Sequence, residues 1–152
     1  MTIPKTRTQR YHGRPERALA RALALGGALV ALAVVALRPF RVAVEGRSME
    51  PTLAPGDFLL ASRTLPPWRG ALAVVEHPER PGYELVKRVQ GLAWDRVGGR
   101  TLGPGELWVV GDHPLATTDS RAFGPVVRGA VRGVVLLRYW PPGRAAWLAR
   151  PR

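Results

Sequence analysis

The sequence predicts a mainly β domain preceded by one N-terminal membrane-spanning helix. Three observations carry that prediction. Residues 22–37, ALALGGALVALAVVAL, run for sixteen positions without a charge. Lys5, Arg7, Arg10, Arg14, Arg17 and Arg21 stand ahead of that run against a single acid, Glu16. After it the helical period stops, and short apolar runs alternate with turn-forming clusters, as strands and hairpin turns do.

Taken in order, residues 1–17 form a basic segment and residues 18–37 the span. Extending the apolar run back through ALA at 18–20 gives about twenty residues, the length a spanning helix needs. Arg21 interrupts it, but the long stem lets a guanidinium reach the headgroups. A cleaved signal peptide shares the basic-then-apolar order, and a buried soluble helix can be equally apolar. The signal peptide should show small residues after the run, where Arg38-Pro39-Phe40 stands instead. The buried helix would rarely carry a basic cluster on one flank only. An uncleaved single-pass anchor in the cell membrane is therefore expected. The basic excess ahead of the span, against Arg38 and Arg41 behind it, predicts a cytoplasmic N-terminus and an extracytoplasmic domain.

Residues 38–142 form the β-rich domain. Its apolar runs are Val42–Val44, Phe58–Ala61, Ala71–Val75, Leu85–Val89, Leu107–Val110 and Val131–Tyr139. PTLAPGD, PPWRG, HPERPG, VGGR, LGPG and PPG bound them. Short strands between such turns suggest a sandwich or barrel-like core. The basic tail 143–152 is expected to be frayed or interfacial.

Composition narrows the function classes. At 152 residues the chain suits one domain with a self-sufficient core. There is no Cys, so a disulfide framework, a thiol nucleophile and a thiolate zinc site are excluded. The net charge of +12 invites a nucleic-acid reading. Beyond the first 21 residues, however, the positive charge is spread thinly, with no basic stripe and no aromatic interleaving. No nucleic-acid partner, metal or cofactor is expected.

Two residues stand out against this background. Of 23 Lys and Arg residues only Lys5 and Lys87 are lysine, so Lys87 is alone beyond the span. A lysine amine can lose its proton when buried, whereas a guanidinium stays charged. In Leu85-Val86-Lys87-Arg88-Val89, alternation puts Lys87 on one strand face with Leu85 and Val89. It then reads either as a neutral general base or as a rim lysine reaching solvent. The chain has only three serines, and Ser48 sits in EGRSMEPTLAPGD, where a turn residue and a nucleophile are both possible. A Ser48–His113–Asp112 or Asp119 triad competes, but Asp112-His113-Pro114 reads as turn chemistry. His77 and His113 with Asp112 lack a metal-ligand spacing. Gly98-Gly99 and Gly103-x-Gly105 read as hairpin turns.

With Ser48, Lys87 and GDHPLATTDSRAFG in view, the chain resembles bacterial type I signal peptidases, membrane-anchored serine proteases with a Ser/Lys dyad. Ser48-Met49-Glu50-Pro51-Thr52-Leu53, with Gly56-Asp57 behind it, looks like the family's serine box. Leu85 to Val89 followed by Gly91 looks like its lysine box, and Gly111-Asp112 through Asp119-Ser120-Arg121-x-Phe123-Gly124 like its third. The resemblance covers nearly all of residues 42–141 and keeps the family's order.

It implies a compact β catalytic core with Ser48 as nucleophile and Lys87 as general base. The Ser48 N–H would stabilise the oxyanion. Thr117 would orient the lysine amine where the family has a serine. Asp119 and Arg121 would form a supporting ion pair, and Asp112 would hold its turn. Met49 would pack beside the dyad, and Pro51 would fix the turn behind it. Gly46 supplies no side-chain oxyanion donor, His113 replaces a usual asparagine, and Gly70-Ala71 replaces a common Gly-Asp pair. Residues 92–110 leave no room for a second domain. The implied partners are precursor proteins with N-terminal signal or leader peptides, and membrane lipid; a monomer is expected.

Two further readings stay open. VEHPERPGYELVKRV and VVLLRYWPPGR are similar to the small proteases that mature nickel-type superoxide dismutase. A non-enzymatic alternative is an anchored β domain that binds or scaffolds a partner, with Ser48 an inert turn residue.

Overall fold

The computed structural model describes residues 14–115 and 117–150. The basic positions Lys5, Arg7 and Arg10 lie outside the described residues. The chain divides into a helical unit ending at Ala36 and a β unit that begins at Leu37.

Helix α1 runs from Arg14 to Leu37. Its stretch Arg17–Leu37 is 21 residues, long and apolar enough to cross a membrane. At a rise of ~1.5 Å per residue it spans about 31 Å, close to the thickness of a bilayer's hydrocarbon core. Leu19, Leu23, Leu25, Leu29, Leu32 and Val35 are all exposed on it. A helix apolar on every side is matched to lipid rather than to one face of a soluble core.

In the second unit the strands are β1 (Pro39–Ala43), β2 (Phe58–Ser62), β3 (Leu72–Glu76), β4 (Glu84–Gly91), β5 (Arg96–Val97) and β6 (Arg100–Thr101). They continue with β7 (Glu106–Val110), the short helix α2 (Ser120–Phe123), β8 (Val126–Val127), β9 (Val131–Trp140) and β10 (Ala146–Trp147). The main sheet has the order β1-β2-β9-β3-β4-β7-β8, with β10 also on β9. Its pairings are antiparallel. Register shifts interrupt the β2–β9, β3–β9 and β4–β7 ladders. Such bulges bend and twist a strand, and they curl this sheet.

The central strand explains why ALAVV is apolar without a gap. Leu72, Ala73, Val74 and Val75 are all buried, and alternate side chains enter opposite packing layers. Leu72 and Val74 join Val44, Met49, Leu53, Leu59, Ala61 and Val135. Ala73 and Val75 join Ala71, Val89, Leu107, Val109, Val126 and Val134 on the other side. The first layer thus holds the residue next to Ser48, and the second the face that carries Lys87.

Each of the six expected apolar runs overlaps a strand, though β1 begins before Val42 and ends before Val44, and Ala71 precedes β3. Gly98 and Gly99, at φ 58° and 77°, form the two-residue turn between β5 and β6. A turn with both φ positive matches the twist of the strands it joins. The tail corrects the expectation of fraying. A 3₁₀ turn at Pro142–Arg144 leads into β10, and Leu148 N–H donates to Leu136 O at 2.8 Å. The short run AAWL carries no strand-length signal of its own. It is ordered because β9 offers it a free edge and Leu148 packs on the core.

Candidate active site

Ser48 lies in the loop between β1 and β2, whose two ends are tied together. Val44 N–H donates to Asp57 O at 2.9 Å, and Gly56 N–H to Val44 O at 2.8 Å. Within the loop Glu50 N–H donates to Arg47 O and Leu53 N–H to Met49 O. Met49 is 1% exposed and Leu53 fully buried, so the segment around the serine is anchored by apolar burial. The Glu50–Pro51 peptide is cis. Asp57 accepts from Ala54 N–H at 2.9 Å and from Arg138 at 3.0 Å. Arg144 Nη1 lies 3.1 Å from its other oxygen without the alignment of a hydrogen bond. Arg138 also donates to Thr52 O. The ordered C-terminal segment therefore braces the loop that carries Ser48.

Lys87 is in the middle of β4, opposite Ala73 of β3, and is 1% exposed. Of its two sequence readings, the rim lysine is excluded by that burial. Its Nζ donates to Thr117 Oγ1 at 3.1 Å. Thr117 in turn donates to Asp119 Oδ2 at 3.0 Å. Burial lowers the Lys87 pKa from the usual lysine value. The negative charge of Asp119 opposes the shift without cancelling it, and Arg121 adds to it.

Asp119 is 1% exposed and serves three elements at once. Its Oδ2 accepts from Gly111 N–H at 2.8 Å, from Thr117 and from Arg121 Nη2 at 2.7 Å. Its Oδ1 accepts from Arg121 N–H and Nε, both at 3.0 Å, which also caps α2. Burial alone would raise its pKa, but the Arg121 hydrogen bond and the two N–H donors hold it well below the usual carboxylate range.

Gly111 shows why the third segment is spaced as it is. A Cβ there would stand 2.1 Å from Thr117 Oγ1 and 2.5 Å from Ser48 O. Only glycine lets β7's end pass between the two. His113 N–H donates to Ser48 O at 3.1 Å. The His113 side chain accepts from Leu115 N–H through Nδ1, in keeping with a turn.

Asp112 faces a second clamp. Arg88 Nε and Nη2 bind its two oxygens at 2.7 and 2.6 Å, and Thr52 Oγ1 donates to it at 2.5 Å. Arg88 Nη1 also donates to Gly70 O at 2.7 Å. This ties the serine loop, the lysine strand and the third segment together. Sequence reasoning missed Arg88 and Thr52. Their signal was the arginine's position beside Lys87, on the opposite strand face and able to reach a different partner.

Ser48, Met49 and Lys87 line one cavity of about 630 Å³. Val42, Ala43, Val44, Val74, Leu85 and Val86 supply its apolar wall. No hydrogen bond joins Ser48 to Lys87 among the described residues, so hydroxyl and amine share a space rather than a bond. A buried, deprotonation-prone amine beside a turn-borne hydroxyl is equipped for proton transfer from that hydroxyl.

Comparison with known proteins follows this arrangement. The family profile described as "Signal peptidase, peptidase S26" matches residues 16–102. Mitochondrial inner membrane protease subunit 2 of Danio rerio is 37% identical over 123 residues, covering 66% of this chain and 64% of its own. Subunit 1 of Xenopus tropicalis is 35% identical over 114 residues, covering 66% of this chain and 68% of its own. Mitochondrial ATP-independent inner membrane protease subunit 1a of Arabidopsis thaliana is 37% identical over 116 residues, covering 65% and 69%. The chain thus spans about two thirds of the length of these relatives.

Proposed function

The chain belongs to the signal peptidase family, peptidase S26, and from that premise we propose that it is a membrane-anchored serine endopeptidase using a Ser48/Lys87 dyad. Its substrates are exported precursors, from which it removes N-terminal signal or leader peptides. The observation that carries the reading is Lys87 itself. It is the one lysine beyond the span, buried to 1% exposure and in the same cavity as Ser48.

The neutral Lys87 amine takes the Ser48 proton as Oγ attacks the scissile carbonyl. The Ser48 N–H stabilises the oxyanion. The ammonium then gives its proton to the departing amine, leaving an acyl-enzyme. Water, deprotonated by the same amine, attacks the ester, and the proton returns to Ser48 Oγ. Thr117 acts through Lys87, holding the amine at one corner of its reach.

An extended substrate suits the walls of the cavity. Among the described residues, strand β1 pairs only with β2. On β4, pairing with β7 starts at Arg88, so among the described residues Glu84–Lys87 pair only with β3. A peptide laid between these edges gains backbone hydrogen bonds from a free strand edge. The apolar wall admits small side chains such as Ala-x-Ala. The anchor, with its N-terminus cytoplasmic and the β domain outside, confines enzyme and precursor to one membrane and raises their effective concentration.

Cleavage by the full-length protein in detergent micelles tests this. A preprotein with an Ala-x-Ala site is expected to be cut by the wild type and left intact by Ser48→Ala, Lys87→Ala and Lys87→Arg. Undiminished cutting by Lys87→Arg would sink the dyad, because a guanidinium cannot serve as the base. Cutting of a nickel-type superoxide dismutase precursor alone would narrow the substrate to that class.

A further inference from the structure

The dyad accounts for one end of the cavity only. Arg41 lines it seven residues before Ser48, and Arg80 lines it seven residues before Lys87. One comes from β1 and the other from the β3–β4 connection, so two separate segments bring an arginine to the cavity. Both are exposed, and neither has an ion-pair partner among the described residues.

Two of the other charged residues along the cavity have ion-pair partners. Arg47 is 4.0 Å from Glu50, and Glu84 is 4.0 Å from Arg132. Glu45 also lines the cavity, three residues before Ser48 in sequence. His77 Nδ1 accepts Glu79 N–H at 3.1 Å. In sequence, Val42, Ala43 and Val44 stand between Arg41 and Ser48, and Leu85 and Val86 between Arg80 and Lys87; all five line the cavity.

We propose that Arg41 and Arg80 bind an acidic side chain of the substrate, so that the enzyme selects leader peptides with an Asp or Glu set apart from the scissile bond. Two guanidiniums that meet no carboxylate among the described residues attract one from a partner, and the cleft walls focus that field. The inference rests on the peptidase reading for its biology, but its test reads binding alone.

Full-length Ser48→Ala protein in neutral detergent micelles is titrated with fluorescent Ala-x-Ala peptides. Each peptide carries Glu, Gln or Lys at one of successive positions. One position is expected to bind Glu about tenfold more tightly than Lys, a preference that shrinks with added salt. Adding Arg41→Glu with Arg80→Glu should turn that preference toward Lys. Equal binding of Glu, Gln and Lys at every position would overturn the inference. So would a Glu preference spread evenly over all positions, which is the mark of diffuse charge, or the absence of any peptide binding. Cleavage of the same peptides by the wild-type protein is read separately. Charge-selective binding without cleavage counts against the peptidase reading and leaves this inference standing.

Discussion

Lys87 Nζ donates to Thr117 Oγ1 at 3.1 Å, and the same hydroxyl donates onward to Asp119. A hydroxyl has one proton to give. Having spent it on a carboxylate, Thr117 can only accept from the amine, so it fixes where Nζ points without competing for the Ser48 proton.

Replacing the hydroxyl should therefore separate orientation from packing. Thr117→Ser is expected to keep activity near wild type, because it keeps the oxygen. Thr117→Val keeps the shape and is expected to lower kcat by about 10- to 100-fold with KM little changed. Steady-state kinetics on one peptide substrate measures both, and equal loss in the two variants would argue for packing alone.

The pH dependence follows from the lowered pKa of Lys87. With Lys87 as the base of the proposed dyad, catalysis needs the neutral amine, so kcat/KM should rise with pH and level off above an apparent pKa below the usual lysine value. Stability has the same sign. Burying the charged form costs free energy, so Lys87's contribution is most favourable above the unfolded-state pKa of ~10.4 and declines as pH falls toward the folded value. A rate profile with no ionisation below the usual lysine value would contradict this.

Asp119→Asn should destabilise the fold at neutral pH, because it leaves Gly111, Thr117 and Arg121 competing for a neutral amide. Arg121 is half exposed, so the pair's share is discounted, and a loss of about 1–3 kcal/mol is expected. The folded pKa of Asp119 is depressed, so the wild type's advantage is present above ~3.9 and is lost as pH falls below it. Denaturant midpoints for both proteins across acidic pH would reveal a gap that closes on acidification. A gap constant with pH would remove the charge from the explanation.

Gly111→Ala would place a methyl 2.1 Å from Thr117 Oγ1 and 2.5 Å from Ser48 O. Backbone and hydroxyl must then separate, at a cost of about 1–3 kcal/mol. The expected outcome is a drop in kcat larger than the stability loss implies at assay temperature, where most molecules remain folded. Gly129→Ala, with open space around the added methyl, is the matched control. Similar behaviour of the two variants would detach Gly111 from the site.

Much of this protein was determined by the sequence alone. An uncharged run of bilayer length behind a basic segment specifies a helix that can cross a membrane, and strand-length apolar runs between turn residues specify the β class. Both signals are local, since hydrophobic period and turn chemistry act within a few residues. Ser48 and Lys87 stood out because each is a chemically particular residue in a particular setting, whereas the Asp119–Arg121 pair followed from the family resemblance. The lone buried-face lysine among arginines was the sharpest of these.

What only the tertiary structure decided is which distant groups meet. Arg88 reaches Asp112 and Thr52 because the β4–β7 ladder and the serine loop converge there. The tail is ordered because β9 has an edge to offer. Gly111 is confined by Thr117 and Ser48, residues that no local pattern connects to it. Arg41 and Arg80 line one cavity because the fold brings β1 and the β3–β4 connection to it. Pairing across such sequence separations depends on the register and curl of the sheet, which the whole chain sets together.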